Sequence, residues 1–191
     1  SFTPTEISKL LAGKKLTLSP YISAYYEGFS GSAVPKDLEP MLQLLHLYFT
    51  APRKDMELFQ SYISKQKGII ANLLSEPENY FSDKFVRIKT QNNPRVEAIP
   101  TIDDIEKINS ERVYDIYKER FSDASDFVFF FVGAFSVDSI KPLIEKYIAS
   151  LPSLRKSESW KDMGIRAPAS TLDTALYKGS DPKSIVALYM E

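Results

Sequence analysis

Apolar residues recur along this chain at two spacings, and the spacing assigns most of its elements. Leu38, Met41, Leu42, Leu45 and Phe49 fall at offsets of 3, 4, 7 and 11 between Pro35 and Pro52, which predicts a helix bounded by the two prolines. Asp55 is expected to cap a longer helix with the stripe Leu58/Phe59, Tyr62/Ile63, Gln66, Ile69/Ile70 and Leu73/Leu74. Two tetrads read as capping boxes. Thr3-Pro4-Thr5-Glu6 would open a short helix that Gly13 ends, and Ser75-Glu76-Pro77-Glu78 one that runs to about Thr90. Short helices are expected at about 102–108 behind Thr101, and at 110–121 behind Asn109 or Ser110. After Ser136, the positions Ile140, Leu143, Ile144, Tyr147, Ile148 and Leu151 form a stripe closed by Pro152, with Pro142 in the first turns.

Elsewhere the helical period is lost. Residues 15–21 and 25–33, rich in Tyr, Ser, Thr and Gly, read as two strands with a turn near Ser23. Residues 127–132 are β-branched or aromatic throughout, which predicts a strand covered on both faces or nearly so. Two further strands are expected at about 171–177 and 185–190, a loop at 91–100 around Asn93-Pro94, and a linker at 153–170 around Trp160. Helices adjacent in sequence, together with a hairpin, predict an α+β fold: a two-layer sandwich of a mostly antiparallel sheet covered by helices. The chain starts inside a helix-start signal and stops inside an apolar run, as a fragment of a longer protein would.

Composition narrows the functions. With 24 Lys+Arg against 25 Asp+Glu, the chain is nearly neutral, unlike the basic modules that bind nucleic acid. No apolar run approaches the ~18 residues of a membrane span. Cysteine is absent, which removes disulfides, thiolate metal sites and cysteine nucleophiles together. Only one histidine is present, so no site here can draw two imidazoles from this chain.

Candidate chemistry is correspondingly sparse. His46 sits at the edge of its helix's apolar stripe, with Glu39 seven residues back and no H-E-x-x-H or H-x-x-E-H around it; a hydrogen-bonded boundary histidine is the better reading. Gly28-Phe29-Ser30-Gly31-Ser32 resembles a nucleophile elbow, but its second glycine comes one place early and it lies on a strand. The small residues there suit close packing. The carboxylates Asp103, Asp104 and Glu106, like Asp123 and Asp126, suit helix starts better than acid–base work or a calcium loop. Tyr21, Tyr25, Tyr26 and Phe29 concentrate aromatics in the hairpin, where strand alternation would turn some rings away from the core and towards a peptide groove.

Several segments, in order, resemble a zinc metallopeptidase of the insulinase/pitrilysin family, peptidase family M16, in its long bacterial form with four related modules. They include Leu18-Ser19-Pro20-Tyr21, Glu27-Gly28-Phe29-Ser30-Gly31 and Leu47-Tyr48-Phe49-Thr50-Ala51-Pro52-Arg53. Tyr117-Lys118-Glu119-Arg120-Phe121, Phe131-Val132-Gly133-Ala134-Phe135 and Lys178-Gly179-Ser180-Asp181-Pro182 continue the likeness; Ala134 departs from the usual Asn or Asp.

The resemblance implies α/β modules that enclose a chamber, with the zinc motif H-x-x-E-H in the first module. This chain resembles the non-catalytic third module at 1–153, a linker at 154–170, and the first strands of the fourth at 171–191. No catalytic or metal residue carries over to it. Zinc would belong to the parent protein only. The implied partners are an unfolded peptide substrate and the zinc-binding N-terminal half of the same parent chain, with self-association through the C-terminal strands. Export to the periplasm or envelope is what bacterial relatives imply. Two other classes stand beside this one: a zinc-free scaffold like a core subunit, and a strand-edge peptide-binding module.

Overall fold

The computed structural model describes residues 2–96, 98–155 and 159–190. Two compact units divide the chain.

The first unit comprises Ser1–Ile22, Tyr26–Asp55 and Asn109–Trp160. Helix α1 (Pro4–Leu10) starts on the expected capping box: the Thr3 hydroxyl accepts from Glu6 N–H at 3.1 Å and the Glu6 carboxylate accepts from Thr3 N–H at 2.7 Å. Strands β1 (Leu16–Ile22) and β2 (Glu27–Ala33) pair antiparallel, with Leu18 opposite Gly31 and Pro20 opposite Phe29. Gly31 is required at its position. A Cβ there would stand 2.5 Å from the Thr17 carbonyl oxygen, against backbone that cannot yield.

A 3-10 turn (Pro35–Asp37) leads into α2 (Leu38–Thr50), which buries Leu42, Leu45 and Phe49. Helix α6 (Ser110–Phe121) is capped by Asn109, whose side chain accepts from Arg112 N–H at 3.0 Å, and it ends on the buried Phe121. Helix α7 (Val137–Tyr147) is capped by Ser136 and buries Ile140 and Tyr147. These elements share one core of Leu42, Leu45, Phe49, Phe121, Tyr147 and Leu151. Rings crowd it: Phe121 lies 4.7 Å from Tyr117, 5.0 Å from Phe29 and 5.7 Å from Phe127, centroid to centroid.

Residues 127–132 correct one expectation. Phe127, Phe129 and Phe131 do pack against the core, but Val128, Phe130 and Val132 are 75%, 86% and 97% exposed. The run alternates as a strand would, yet joins no ladder among the described residues. Composition signalled β structure; it could not show that only one face finds a cover.

The second unit comprises Ser23–Tyr25, Met56–Ile108 and Lys161–Glu191. Helix α3 (Met56–Leu73) begins directly after Asp55, and its broad apolar stripe splits. Ile70 is buried and Phe59 and Ile63 are half-buried, whereas Leu58, Tyr62, Ile69 and Leu73 are exposed. The second expected capping box does not form. The Ser75 hydroxyl donates to the Asn72 carbonyl at 2.6 Å, and α4 (Pro77–Lys89) starts at Pro77 with Glu76 as a cap that makes no side-chain bond. Helix α5 (Ile102–Glu106) carries the box that sequence placed there only as a Thr101 cap, with Asp104 as the reciprocal acid. Residues 171–177 and 185–190, expected as strands, run without a ladder in this unit. Within the expected 154–170 linker, residues 156–158 lie outside the described residues.

The fold is thus mixed α+β, with seven α-helices and one two-stranded antiparallel sheet among the described residues. No described helix is long and apolar enough to cross a membrane.

Candidate functional site

The hairpin has two unlike faces, fixed by strand alternation. Leu16, Leu18, Pro20, Phe29 and Ala33 share one side, and Phe29 packs 5.3 Å from both Tyr48 and Phe49. The other side carries Thr17, Ser19, Tyr21, Gly28, Ser30 and Ser32. Here the Tyr21 ring lies over Gly28, where a Cβ would meet its hydroxyl at 2.9 Å. Thr17 and Ser32 bond across the strands at 3.1 Å. Of the four aromatic residues singled out from sequence, Tyr21 and Tyr26 are 47% and 71% exposed, while Phe29 is part of the core's aromatic cluster. Tyr25, in the second unit, is 58% exposed. The exposed Tyr21 ring, which covers the buried Gly28, and the row of hydroxyls beside it offer apolar contact and hydrogen bonding to an extended chain, but no activated nucleophile, acid or metal ligand set.

His46 and Glu39 do come to one place, through Tyr147. The Tyr147 hydroxyl donates to Glu39 Oε1 at 2.7 Å and accepts from Gln43 Nε2 at 3.0 Å, while His46 Nδ1 donates to the Tyr147 carbonyl at 3.0 Å. Lys146 Nζ reaches the same Glu39 oxygen at 3.1 Å. The Tyr147 hydroxyl, then Lys146, hold the Glu39 carboxyl below its ordinary pKa. This is a clamp between α2 and α7. His46 has its ring nitrogen on a carbonyl, Glu39 is engaged twice, and no three His, Asp or Glu side chains gather to hold a metal among the described residues. The set does not fit zinc.

The other carboxylates also have structural work. Asp104 caps α5, and the Thr101 hydroxyl and backbone lower its pKa. Glu106 pairs with Lys67 on α3 at 2.7 Å, which lowers its pKa too. Asp123, almost fully buried, accepts from Ser125 N–H at 3.1 Å and from Leu154 N–H at 2.8 Å, tying residue 154 to the end of α6. Burial pushes the Tyr117 hydroxyl well above its ordinary value; it donates to the Tyr48 carbonyl at 2.9 Å.

One feature of the second unit has no signal in local sequence. Gln91 Nε2 donates to the carbonyls of Ala167 and Arg166 at 3.0 and 3.4 Å, and Asn93 Nδ2 to that of Met163 at 3.1 Å. Gln91 and Asn92 adopt φ of 52° and 56°, a left-handed turn rare outside glycine. Two amides thus hold the main chain of a segment seventy residues away.

Residues 107–191 match the family model for the peptidase M16 inactive domain. The chain is 22% identical, over 187 residues, to a Haemophilus influenzae protein named "Probable zinc protease PqqL". That alignment covers 96% of this chain and 19% of the relative, so the chain spans about a fifth of the relative's length. A crystal structure described as an M16-like peptidase, from Alicyclobacillus acidocaldarius, superposes with a TM-score of 0.58 at 14% identity, over 85% of this chain and 36% of that one. The fold is therefore M16-like, and the sequence is similar to M16 peptidases and, over 107–191, to their non-catalytic domain.

Proposed function

We propose that this chain is a non-catalytic wall of the peptide-binding chamber in a zinc-dependent metalloendopeptidase, whose zinc and catalytic residues lie in another part of the parent protein. The observation that carries this reading is the match of 107–191 to an inactive peptidase domain, on a chain whose only histidine is committed to a carbonyl. In the parent, the partner is the zinc-binding N-terminal half and the substrate is an unfolded peptide. Tyr21 and Tyr26 of the first unit are the residues we assign to the peptide-facing surface, with Phe29 supporting the hairpin from the core side; Tyr25 belongs to the second unit and is left out of this assignment. The finer architecture we read as a two-layer sandwich over 1–153, a linker at 154–170 and the opening strands of a further module at 171–191.

The test is kinetic, on the full-length parent carrying H-x-x-E-H upstream. Tyr21→Ala with Tyr26→Ala should lower kcat/KM for a long unfolded peptide by about tenfold, the loss of roughly 1.4 kcal/mol of aromatic contact. A short fluorogenic peptide that never reaches this wall should be cleaved as before. Equal loss on both peptides, or on neither, would contradict the assignment. A parent without the motif would make the chain part of a zinc-free scaffold instead.

A further inference from the structure

We infer that Val128, Phe130 and Val132 form an apolar subsite on the outer face of the first unit, whose ligand is an extended, uncharged stretch of unfolded peptide rich in aliphatic and aromatic residues. The subsite rests on the peptide-wall reading above for its biological substrate, and deepens that reading by naming the class of peptide the wall favours.

Three observations within the first unit carry it. First, the run from Phe127 to Val132 is two-faced. Phe127, Phe129 and Phe131 pack against the core, while Val128, Phe130 and Val132 turn away from it and are each at least 75% exposed. Single exposed apolar residues are ordinary; three at alternate positions of one extended run make a patch. Second, that patch shares its side with the polar face of the hairpin. Phe29 and Phe127 meet the same two rings, Phe49 at 5.3 and 5.0 Å and Phe121 at 5.0 and 5.7 Å. Hairpin and run therefore cover one core, and alternation turns Tyr21 and Ser30, like Phe130, away from it. Third, this surface carries no charge. No Asp, Glu, Lys or Arg occurs from Phe127 to Phe135, and the outer positions of the hairpin are Thr, Ser, Tyr and Gly.

Together these describe the ligand. Alternate side chains of an extended peptide recur about every 7 Å, as those of Val128, Phe130 and Val132 do, so one peptide strand can set a side chain against each of them. A charged side chain there would lose water and find no opposite charge, whereas an aliphatic or aromatic one gains contact. The hydroxyls on the same side of the hairpin offer hydrogen bonds to the peptide main chain.

Binding is measured on the full chain by fluorescence anisotropy, apart from any catalysis. The probes are fluorescein-labelled Ser-Gly peptides whose centre reads Leu-Ser-Phe-Ser-Leu, Lys-Ser-Lys-Ser-Lys or Glu-Ser-Glu-Ser-Glu. Wild type should bind the apolar peptide at least about tenfold tighter than either charged one. Phe130→Ser should weaken that binding by about tenfold, and Phe130→Leu, which stays apolar, by no more than about threefold. Circular dichroism confirms folding, and Val132→Thr should act in the same direction if Phe130→Ser misfolds. Equal binding of the three peptides, no binding of any, or apolar binding unchanged in both Phe130→Ser and Val132→Thr would overturn the inference. So would dimerisation, seen by sedimentation velocity, that Phe130→Ser abolishes and that excludes the peptide, since a second copy would then be the occupant. The chamber reading is judged separately, by the cleavage kinetics of the parent carrying Tyr21→Ala and Tyr26→Ala. If those fail while the Phe130 preference holds, the chamber falls and the subsite stands; if they hold while all variants bind alike, only the subsite falls.

Discussion

Phe121→Ala should be the most damaging single substitution in the first unit. The ring is 2% exposed at the end of α6, with Tyr117 at 4.7 Å, Phe29 at 5.0 Å, Phe127 at 5.7 Å and Phe49 at 6.3 Å. It therefore joins the hairpin, α2, α6 and the 127–132 run at one point. Truncating a buried phenylalanine costs about 3–5 kcal/mol, and four aromatic neighbours that cannot all collapse inward place this site near the upper end. A domain holds only about 5–15 kcal/mol in total, so the variant should be marginal or unfolded at 37 °C. Phe121→Leu keeps most of the volume and should cost about 1.5 kcal/mol, isolating the ring–ring contribution. Urea unfolding at 222 nm, with the midpoint shift read at constant m, measures both. Tyr117→Phe is the internal control. It removes only the hydroxyl bonded to the Tyr48 carbonyl at 2.9 Å and should cost about 1 kcal/mol. A Phe121→Ala loss below about 1.5 kcal/mol, or one no larger than that of Tyr117→Phe, would refute this core.

Gly31→Ala should destabilise the hairpin by about 1–3 kcal/mol, because its methyl group would stand 2.5 Å from the Thr17 carbonyl. Gly68→Ala, exposed on α3 with nothing within 4 Å of its Cβ, should instead stabilise by about 0.5–1 kcal/mol, and thermal unfolding of the pair gives opposite signs. Asp123→Ala should cost about 2–3 kcal/mol, because the Leu154 N–H loses its acceptor; faster amide exchange at Leu154 would mark the cause. Glu6, Glu39, Asp104 and Glu106 all have lowered pKa values, so the folded state binds their protons more weakly than the unfolded chain. Their contribution is present above about pH 5 and is lost on acidification through the carboxylate range, so the thermal midpoint should fall between about pH 5 and pH 3. Thr101→Ala should flatten part of that fall, and a midpoint that rises on acidification would contradict the assignment.

What local sequence decides, this chain shows openly. Thr3 with Glu6, Asn109, and Ser136 each satisfy donors within one helical turn, so a cap seen in sequence is a cap in the structure. The stripes of α2 and α7 and the hairpin are legible for the same reason. Ser75 shows the limit: Pro77 fixed the helix start one residue later, and the hydroxyl found the Asn72 carbonyl instead. Residues 127–132 show another, since β-prone composition does not say how many faces a strand will cover. The Gln91 and Asn93 contacts were illegible in principle. Their partners are carbonyls seventy residues on, a chemistry every residue shares. At the hairpin, alternation separated Tyr21 from Phe29 only once the register with β1 was known.

Under the proposed function, this chain shapes a peptide site and leaves the chemistry to another part of the parent protein. Metal analysis of the purified chain after dialysis, run beside turnover of a fluorogenic peptide with and without chelator, tests it most directly. The expected result is zinc well below one equivalent and no chelator-sensitive cleavage. Stoichiometric zinc that disappears in His46→Ala, or peptide hydrolysis that a chelator abolishes, would contradict it.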